Sequence, residues 1–124
     1  MVEPVFNYDE LSDTLYVTFA PGESATGIEL TEHILLRLNK AQRRAVGITI
    51  FEYSVVAQQT ELGPRSFPLT GLTQLTDDLR EQVTELLIQP PVRDILALSV
   101  YTPSIGEAAP IISLHPRSVT ASAA

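Results

Sequence analysis

The stretch that decides the fold class is Ile34-Leu35-Leu36-Arg37-Leu38-Asn39-Lys40-Ala41-Gln42-Arg43-Arg44-Ala45-Val46-Gly47-Ile48-Thr49-Ile50. It contains two runs of alternating side chains on either side of a polar turn. The apolar side of each run consists of Ile34, Leu36 and Leu38, and of Val46, Ile48 and Ile50. A period of two residues is typical of a strand with one buried face. The stretch therefore predicts two antiparallel strands joined by a hairpin turn at Asn39–Arg44.

The same alternation continues toward the N-terminus. It predicts strands around Leu15–Phe19 and Ile28–Leu30, and Val5–Tyr8 is predicted as a short first strand. Turn residues separate these runs at Asp9–Asp13 and Pro21–Ser24. Because parallel strands need crossovers of a dozen or more residues, residues 6–57 are predicted to form an antiparallel β-meander of about five strands.

Downstream of this meander the periodicity changes. Residues 58–69 contain glycine and proline without alternation and are predicted to form a connection. Leucines then recur at spacings of three and four, which predicts one amphipathic helix over residues 70–89, packed on the sheet and ended by Pro90-Pro91. Its candidate N-caps are Thr70, Thr73 and Thr76.

Residues 92–116 are predicted to form a C-terminal β-hairpin with strands at Ile95–Tyr101 and Ile111–His115. A short helix at Val92–Leu98 is the alternative for its first part. Residues 117–124 are small and polar and are predicted to form a loose tail. Together these elements predict an α+β fold in a single domain, residues 1–124.

The charge of the chain is concentrated at one end. The 124 residues carry 15 acidic and eight basic side chains, a formal net charge of −7. Residues 1–36 hold seven acids and no base, so the rest of the chain is balanced, and four bases fall within 37–44. The sequence therefore predicts an acidic surface that meets a basic partner or a basic patch on another copy.

Composition also excludes several function classes. The chain has no cysteine, which excludes disulfide scaffolds, cysteine zinc sites and thiol catalysis. Its acidic balance disfavours nucleic acid as a partner. Neither a signal peptide nor an 18-residue apolar span is present in the sequence, which predicts a cytoplasmic protein with no membrane partner. No cofactor is predicted.

Several short motifs in the first half of the chain resemble those of a known protein family. In order, they are Tyr8-Asp9-Glu10, Asp13-Thr14-Leu15-Tyr16-Val17, Ile34-Leu35-Leu36 and Val46-Gly47-Ile48-Thr49-Ile50. Over residues 6–54 the chain resembles a small prokaryotic family of domains of unknown function, number twenty-two eighty-three. Arg37 stands where that family usually has Asp, and Thr49 where it usually has Glu. If those acids form a functional cluster in the family, this chain lacks half of it. Family members that resemble partners of small toxin-like proteins imply an antitoxin-like role.

Two candidate sites use carboxylates and histidines. Asp9, Glu10 and Asp13 share one turn, and Asp9 and Asp13 are the candidate metal ligands, although aspartates in turns also bind backbone N–H groups. His33 and His115 could join Glu32 or Glu52 in an iron site, although no local motif enforces it. An acid–base or metal-assisted enzyme would use Asp9, Asp13, Glu52 and His33. Ser24 lies between strands, which excludes a nucleophile elbow.

Because no complete catalytic set emerges, the sequence favours a non-enzymatic protein-interaction module, with a second copy as a candidate partner in a homodimer. Sheet edges and segregated charge both favour this interpretation. The predicted interaction residues are Glu29, Glu32, Arg37, Lys40, Arg43 and Arg44.

Overall fold

In the computed structural model, which describes residues 4–61, 63–101 and 109–114, the alternating runs form a five-stranded antiparallel sheet. The predicted five-strand antiparallel sheet is confirmed. Its strands are β1 (Val5–Asp9), β2 (Thr14–Thr18), β3 (Thr26–Thr31), β4 (Ile34–Asn39) and β5 (Arg44–Phe51).

The strand order is β1-β2-β5-β4-β3, so the five strands do not form the single meander that the sequence predicted: β3, β4 and β5 follow one another, but β2 pairs with β5 and not with β3. The β1–β2 hairpin joins the β3–β4–β5 meander through β2 and β5, where Leu15 pairs with Ile50 and Val17 with Ile48. This pairing puts the most buried strand in the centre, since Ala45–Ile50 of β5 are all buried. The sheet therefore has β1 at one edge and β3 at the other.

A second, smaller sheet contains the predicted C-terminal hairpin, which is confirmed. Strands β9 (Leu96–Tyr101) and β10 (Ala109–Leu114) pair antiparallel, and one helical turn, α3 (Val92–Ile95), precedes β9. The segment predicted as a connection contains β6 (Gln59–Thr60), β7 (Gly63–Pro64) and β8 (Ser66–Pro68), and β8 completes the second sheet beside β10. The short α1 (Tyr53–Val56) follows β5 directly. The predicted tail, residues 117–124, lies outside the described residues.

The predicted single helix over 70–89 is instead two segments. A 3₁₀ helix covers Thr70–Gln74, and α2 covers Asp77–Leu87, with the Thr76 side chain accepting a hydrogen bond from Leu79 N. Thr76 is thus the N-cap among the three candidates. Leu75 between them is extended, and the Arg80 guanidinium donates to the carbonyl groups of Leu72 and Leu75, which links α2 to the end of the 3₁₀ helix.

The core is one cluster that joins residues of both sheets and of the helices. Leu36 and Ile48 from the large sheet, Val83 from α2 and Ile112 from β10 are completely buried within it. The apolar stripe of α2 therefore faces the core, as its spacing predicts. None of the helices in the described ranges is long and apolar enough to span a membrane.

Candidate functional site

The two edges of the large sheet differ in what covers them. The 3₁₀ helix packs against β3, and a Cβ atom placed on Gly71 would lie 1.7 Å from the carbonyl oxygen of Glu29. Along β1, the described part of the chain provides no comparable cover: the strand pairs with β2 alone, and all five of its residues are exposed. We call the uncovered side of β1 the β1 edge.

Backbone hydrogen bonds in β5 fix which groups point toward each neighbouring strand. Phe51 N donates to the carbonyl oxygen of His33 at 2.8 Å, so the odd-numbered residues of β5 bond toward β4. Phe19 N donates to the carbonyl oxygen of Val46 at 2.8 Å, so the even-numbered residues bond toward β2. This alternation is the normal pattern of an antiparallel ladder.

The same alternation, carried one strand further, determines what the β1 edge presents. Even-numbered residues of β5 pair with odd-numbered residues of β2, so even-numbered residues of β2, such as Tyr16, bond toward β1. Tyr16 pairs with Asn7, which therefore bonds to β2. Phe6 and Tyr8 consequently direct their backbone N–H and C=O groups out of the sheet.

The side chains of Phe6 and Tyr8 lie on one face of β1. They pair with Val17 and Leu15, which are buried in the core, so the two rings continue the core side of the sheet beyond its last buried strand. Phe6 is 44% exposed and Tyr8 43%. The β1 edge therefore combines unpaired backbone groups with two exposed aromatic rings.

Tyr8 is held in place by its hydroxyl group. The hydroxyl donates to Oδ1 of Asp13 at 2.6 Å, and the Tyr8 ring lies 5.6 Å from that of Tyr53. This hydrogen bond, with a smaller effect of the carboxylate charge, raises the pKa of Tyr8 to about 12. The ring of Tyr8 is thus oriented before any partner binds.

Asp13 connects the β1–β2 turn to the start of α1. Its carboxylate accepts hydrogen bonds from the backbone N–H of Ser54, at 3.1 and 3.2 Å to the two oxygens, and from the Ser54 hydroxyl. Its carbonyl oxygen accepts from Tyr53 N at 2.8 Å. The hydrogen bonds from Ser54 and then Tyr8 hold the pKa of Asp13 below its ordinary value. Both oxygens therefore serve a structural connection.

The other predicted metal ligand, Asp9, is used within its own turn. Its two oxygens accept from Leu11 N at 3.1 Å and from the Ser12 hydroxyl at 2.9 Å. These are the local contacts that aspartate commonly makes in turns. Within residues 4–61, 63–101 and 109–114, no group of three His, Cys, Asp or Glu side chains is placed to hold a metal ion.

Of the predicted acid–base set, the structure brings His33 and Glu52 together. His33 Nδ1 lies 3.3 Å from Oε1 of Glu52, in an orientation that does not make a hydrogen bond, and its ring centroid lies 4.9 Å from that of Phe67, with the two ring planes tilted by 57°. A cavity of about 120 Å³ beside them includes Glu32 and His33 in its lining, but none of Asp9, Asp13 and Glu52. His115 lies outside the described residues.

The predicted interaction residues are spread over four neighbouring places, from β3 to the β4–β5 turn. Glu29 is exposed on β3, Glu32 is exposed in the β3–β4 turn, and Arg37 is half-buried on β4, where its guanidinium lies over Gly47. Lys40 is exposed in the β4–β5 turn and lines a shallow cavity of about 210 Å³.

Both remaining bases are paired within the chain. Arg43 lies 3.7 Å from Oδ1 of Asp78 and 3.4 Å from Oε2 of Glu85, both on α2. Arg44 contacts both carboxylate oxygens of Glu23, which lowers the pKa of Glu23 and raises that of Arg44. Part of the basic cluster is therefore already neutralised by acids of the same chain.

Comparison with known proteins finds a family model that matches one segment of the chain. Residues 6–54 match the model of a family described as Protein of unknown function (DUF2283), which confirms the resemblance over that segment. The match runs from Phe6 of β1 through β5 to the first two residues of α1. No curated protein and no solved structure matches the chain.

Sequence reasoning did not single out Phe6 and Tyr8. It predicted Val5–Tyr8 as a strand but assigned no role to its side chains. The available signal was the order of residues Val5-Phe6-Asn7-Tyr8-Asp9, in which both aromatic rings fall on one side of a strand whose other side is mostly polar.

Proposed function

We propose that this chain is a non-enzymatic protein-interaction module that binds an extended strand along the β1 edge. One observation carries the proposal: the outward backbone groups and the exposed rings belong to the same two residues, Phe6 and Tyr8. In strand addition, main-chain hydrogen bonds supply affinity and alternate side chains supply specificity. The β1 edge offers both.

Unprotected strand edges are unusual because they template aggregation, and proteins blunt them with lysine, proline, bulges or a covering element. β3 has such a cover in the 3₁₀ helix. β1 contains no lysine or proline and pairs with β2 without a register shift. An edge that no described residue covers, opposite an edge that is covered, supports a role for β1 in binding.

The Asp13 connection adds to this support. By holding the Tyr8 hydroxyl and the first turn of α1 together, Asp13 fixes the ring of Tyr8 before binding. A preorganised surface loses less side-chain entropy on association, by about 0.5–1.5 kcal/mol for each side chain that is already ordered.

The test is residue-resolved hydrogen exchange with a peptide of sequence 4–10 as the extended strand, measured by NMR on the full chain at a concentration at which it is monomeric. Binding at the β1 edge should slow exchange of the Phe6 and Tyr8 amides and leave Asn7, already bonded to β2, unchanged. The control peptide carries proline at the positions of Phe6 and Tyr8 and should have no effect. Unchanged exchange at Phe6 and Tyr8 under saturating peptide would overturn the proposal.

A further inference from the structure

We infer that the strand bound at the β1 edge is β1 of a second copy, antiparallel, with a two-fold axis through the Asn7 pair. The inference rests on the proposed function and names the partner. A strand that meets its own copy across a two-fold axis forms an isologous interface, in which each contact occurs twice. The sequence of β1 can therefore be checked for self-complementarity.

Backbone hydrogen bonding favours the axis at Asn7. In this register Phe6 of each copy faces Tyr8 of the other, so four hydrogen bonds use every outward N–H and C=O of both residues. An axis at Phe6 would instead place Tyr8 opposite Pro4, which has no N–H. The carbonyl group of Tyr8 would then lack a donor in both copies.

The pairing of side chains across the interface also favours the register with the axis at Asn7. Phe6 and Tyr8 meet as cross-strand aromatic pairs, one on each side of the axis, and such pairs stabilise sheets. Asp9 faces Val5, so no like charges are directly opposed. At the axis the two Asn7 side chains meet as a non-hydrogen-bonded pair, on the opposite face of the sheet from the aromatic rings.

The covered β3 edge limits the size of the assembly. If both edges of the large sheet were open, copies could add without end, as heterologous contacts do. Since the 3₁₀ helix lies against β3, pairing at β1 leaves no second open edge of this sheet among the described residues. The assembly closes at two copies, with one continuous ten-stranded sheet.

Charge argues against the competing mode of self-association, in which the acidic strands of one copy meet the basic turn of another. Arg43 and Arg44 already pair with Asp78, Glu85 and Glu23 of their own chain. Docking on this turn would have to displace those pairs. The β1 edge needs no such exchange.

The test places charges at the proposed axis. Asn7→Asp and Asn7→Lys each put like charges directly opposite one another, and we expect each to raise the dimer dissociation constant by about tenfold or more. Mixing the two variants should restore a one-to-one heterodimer, detected by native mass spectrometry because the variants differ in mass. Gln42→Asp and Gln42→Lys, in the exposed β4–β5 turn, are the matched controls and should dimerise like the unmodified chain.

Two results would overturn the inference: an unmodified chain that stays monomeric at millimolar concentration, or Asn7 variants that dimerise as the unmodified chain does. Circular dichroism of each variant checks that it is folded. The proposed function fails separately. If the chain is monomeric but the 4–10 peptide still protects Phe6 and Tyr8, strand addition stands and the partner is a different protein. If the peptide gives no protection either, both the inferred dimer and the proposed function are refuted.

Discussion

Replacing Gly71 with alanine tests whether the 3₁₀ helix closes the β3 edge. The added Cβ would lie 1.7 Å from the carbonyl oxygen of Glu29 and 3.2 Å from that of Leu30. Since a carbon and a carbonyl oxygen normally approach to about 3.3 Å at the closest, the 3₁₀ helix must retreat from β3 by about 1.5 Å. Both obstructing atoms belong to the backbone, so no side-chain rotation relieves the clash.

The expected loss of stability in Gly71→Ala follows from the cost of overpacking. Inserting a methyl group into a filled site typically destabilises a protein by about 1–3 kcal/mol. For a chain of this length, that corresponds to a melting temperature lowered by about 4–12 °C. Retreat of the helix also uncovers the backbone of β3, so we expect Gly71→Ala to form species larger than a dimer.

The assay is thermal unfolding by calorimetry together with sedimentation velocity. Gly27→Ala is the matched control, because its Cβ would meet only the flexible Leu35 side chain at 3.4 Å, an ordinary contact. A Gly71→Ala variant that melts within about 1 °C of the unmodified chain would refute the close packing of the 3₁₀ helix on β3.

Three further predictions concern ionisation and charge. Because the folded-state pKa of Asp13 is lowered from 3.8, its contribution to stability is present above that value and is lost as pH falls below it. Urea unfolding should therefore show a steeper acid decline for the unmodified chain than for Asp13→Asn. Spectrophotometric titration should show the Tyr8 phenol ionising near pH 12, and near its ordinary value of 10 in Asp13→Asn. The stabilisation that the Tyr8–Asp13 hydrogen bond provides is present below pH 10 and is lost as pH rises through 12. Both copies carry a net charge of −7, so raising salt from about 10 to about 150 mM should strengthen the dimer, because the Debye length falls from ~30 to ~8 Å. Docking of acids on Arg37–Arg44 would instead weaken with salt.

The strands of the large sheet were predictable because burial of one face imposes a period of two. Leu15 and Val17 on β2, like Leu36 and Leu38 on β4, show that alternation without reference to any partner. The order of the strands was not predictable, because every alternating strand offers the same apolar face to any neighbour. The pairing of β2 with β5 is decided by how all five strands pack together and not by a pattern within either strand.

The prediction of one continuous helix over residues 70–89 was wrong for a related reason. Leucine spacing runs without interruption from Leu72 to Leu79, yet Leu75 between them is extended and α2 begins only after Thr76. Spacing reports which side chains are buried and does not report the backbone angles between them. The capping threonine was a correct candidate, but nothing local ranked it above Thr70 and Thr73.

Long-range contacts set the limits of the site prediction. Arg43 and Arg44 form a basic cluster in the sequence, but their partners Glu85 and Glu23 lie 42 and 21 residues away. Likewise, the packing of the 3₁₀ helix on β3 joins residues about 40 positions apart in the sequence, Gly71 and Glu29. A sequence pattern identifies an aromatic strand such as β1, and only the fold shows that no other strand among the described residues pairs with its outer edge.

The measurement that tests the β1 pairing most directly is a disulfide cross-link at the proposed axis. The chain has no cysteine, so Asn7→Cys introduces a single thiol. In a non-hydrogen-bonded antiparallel pair the two Cα atoms lie about 4.5 Å apart, within the disulfide range of about 4.4–6.8 Å. Under mild oxidation at low concentration, the Asn7→Cys chain should become a cross-linked dimer on a non-reducing gel much faster than Gln42→Cys. Equal cross-linking rates for the two variants would contradict the pairing of two copies through β1.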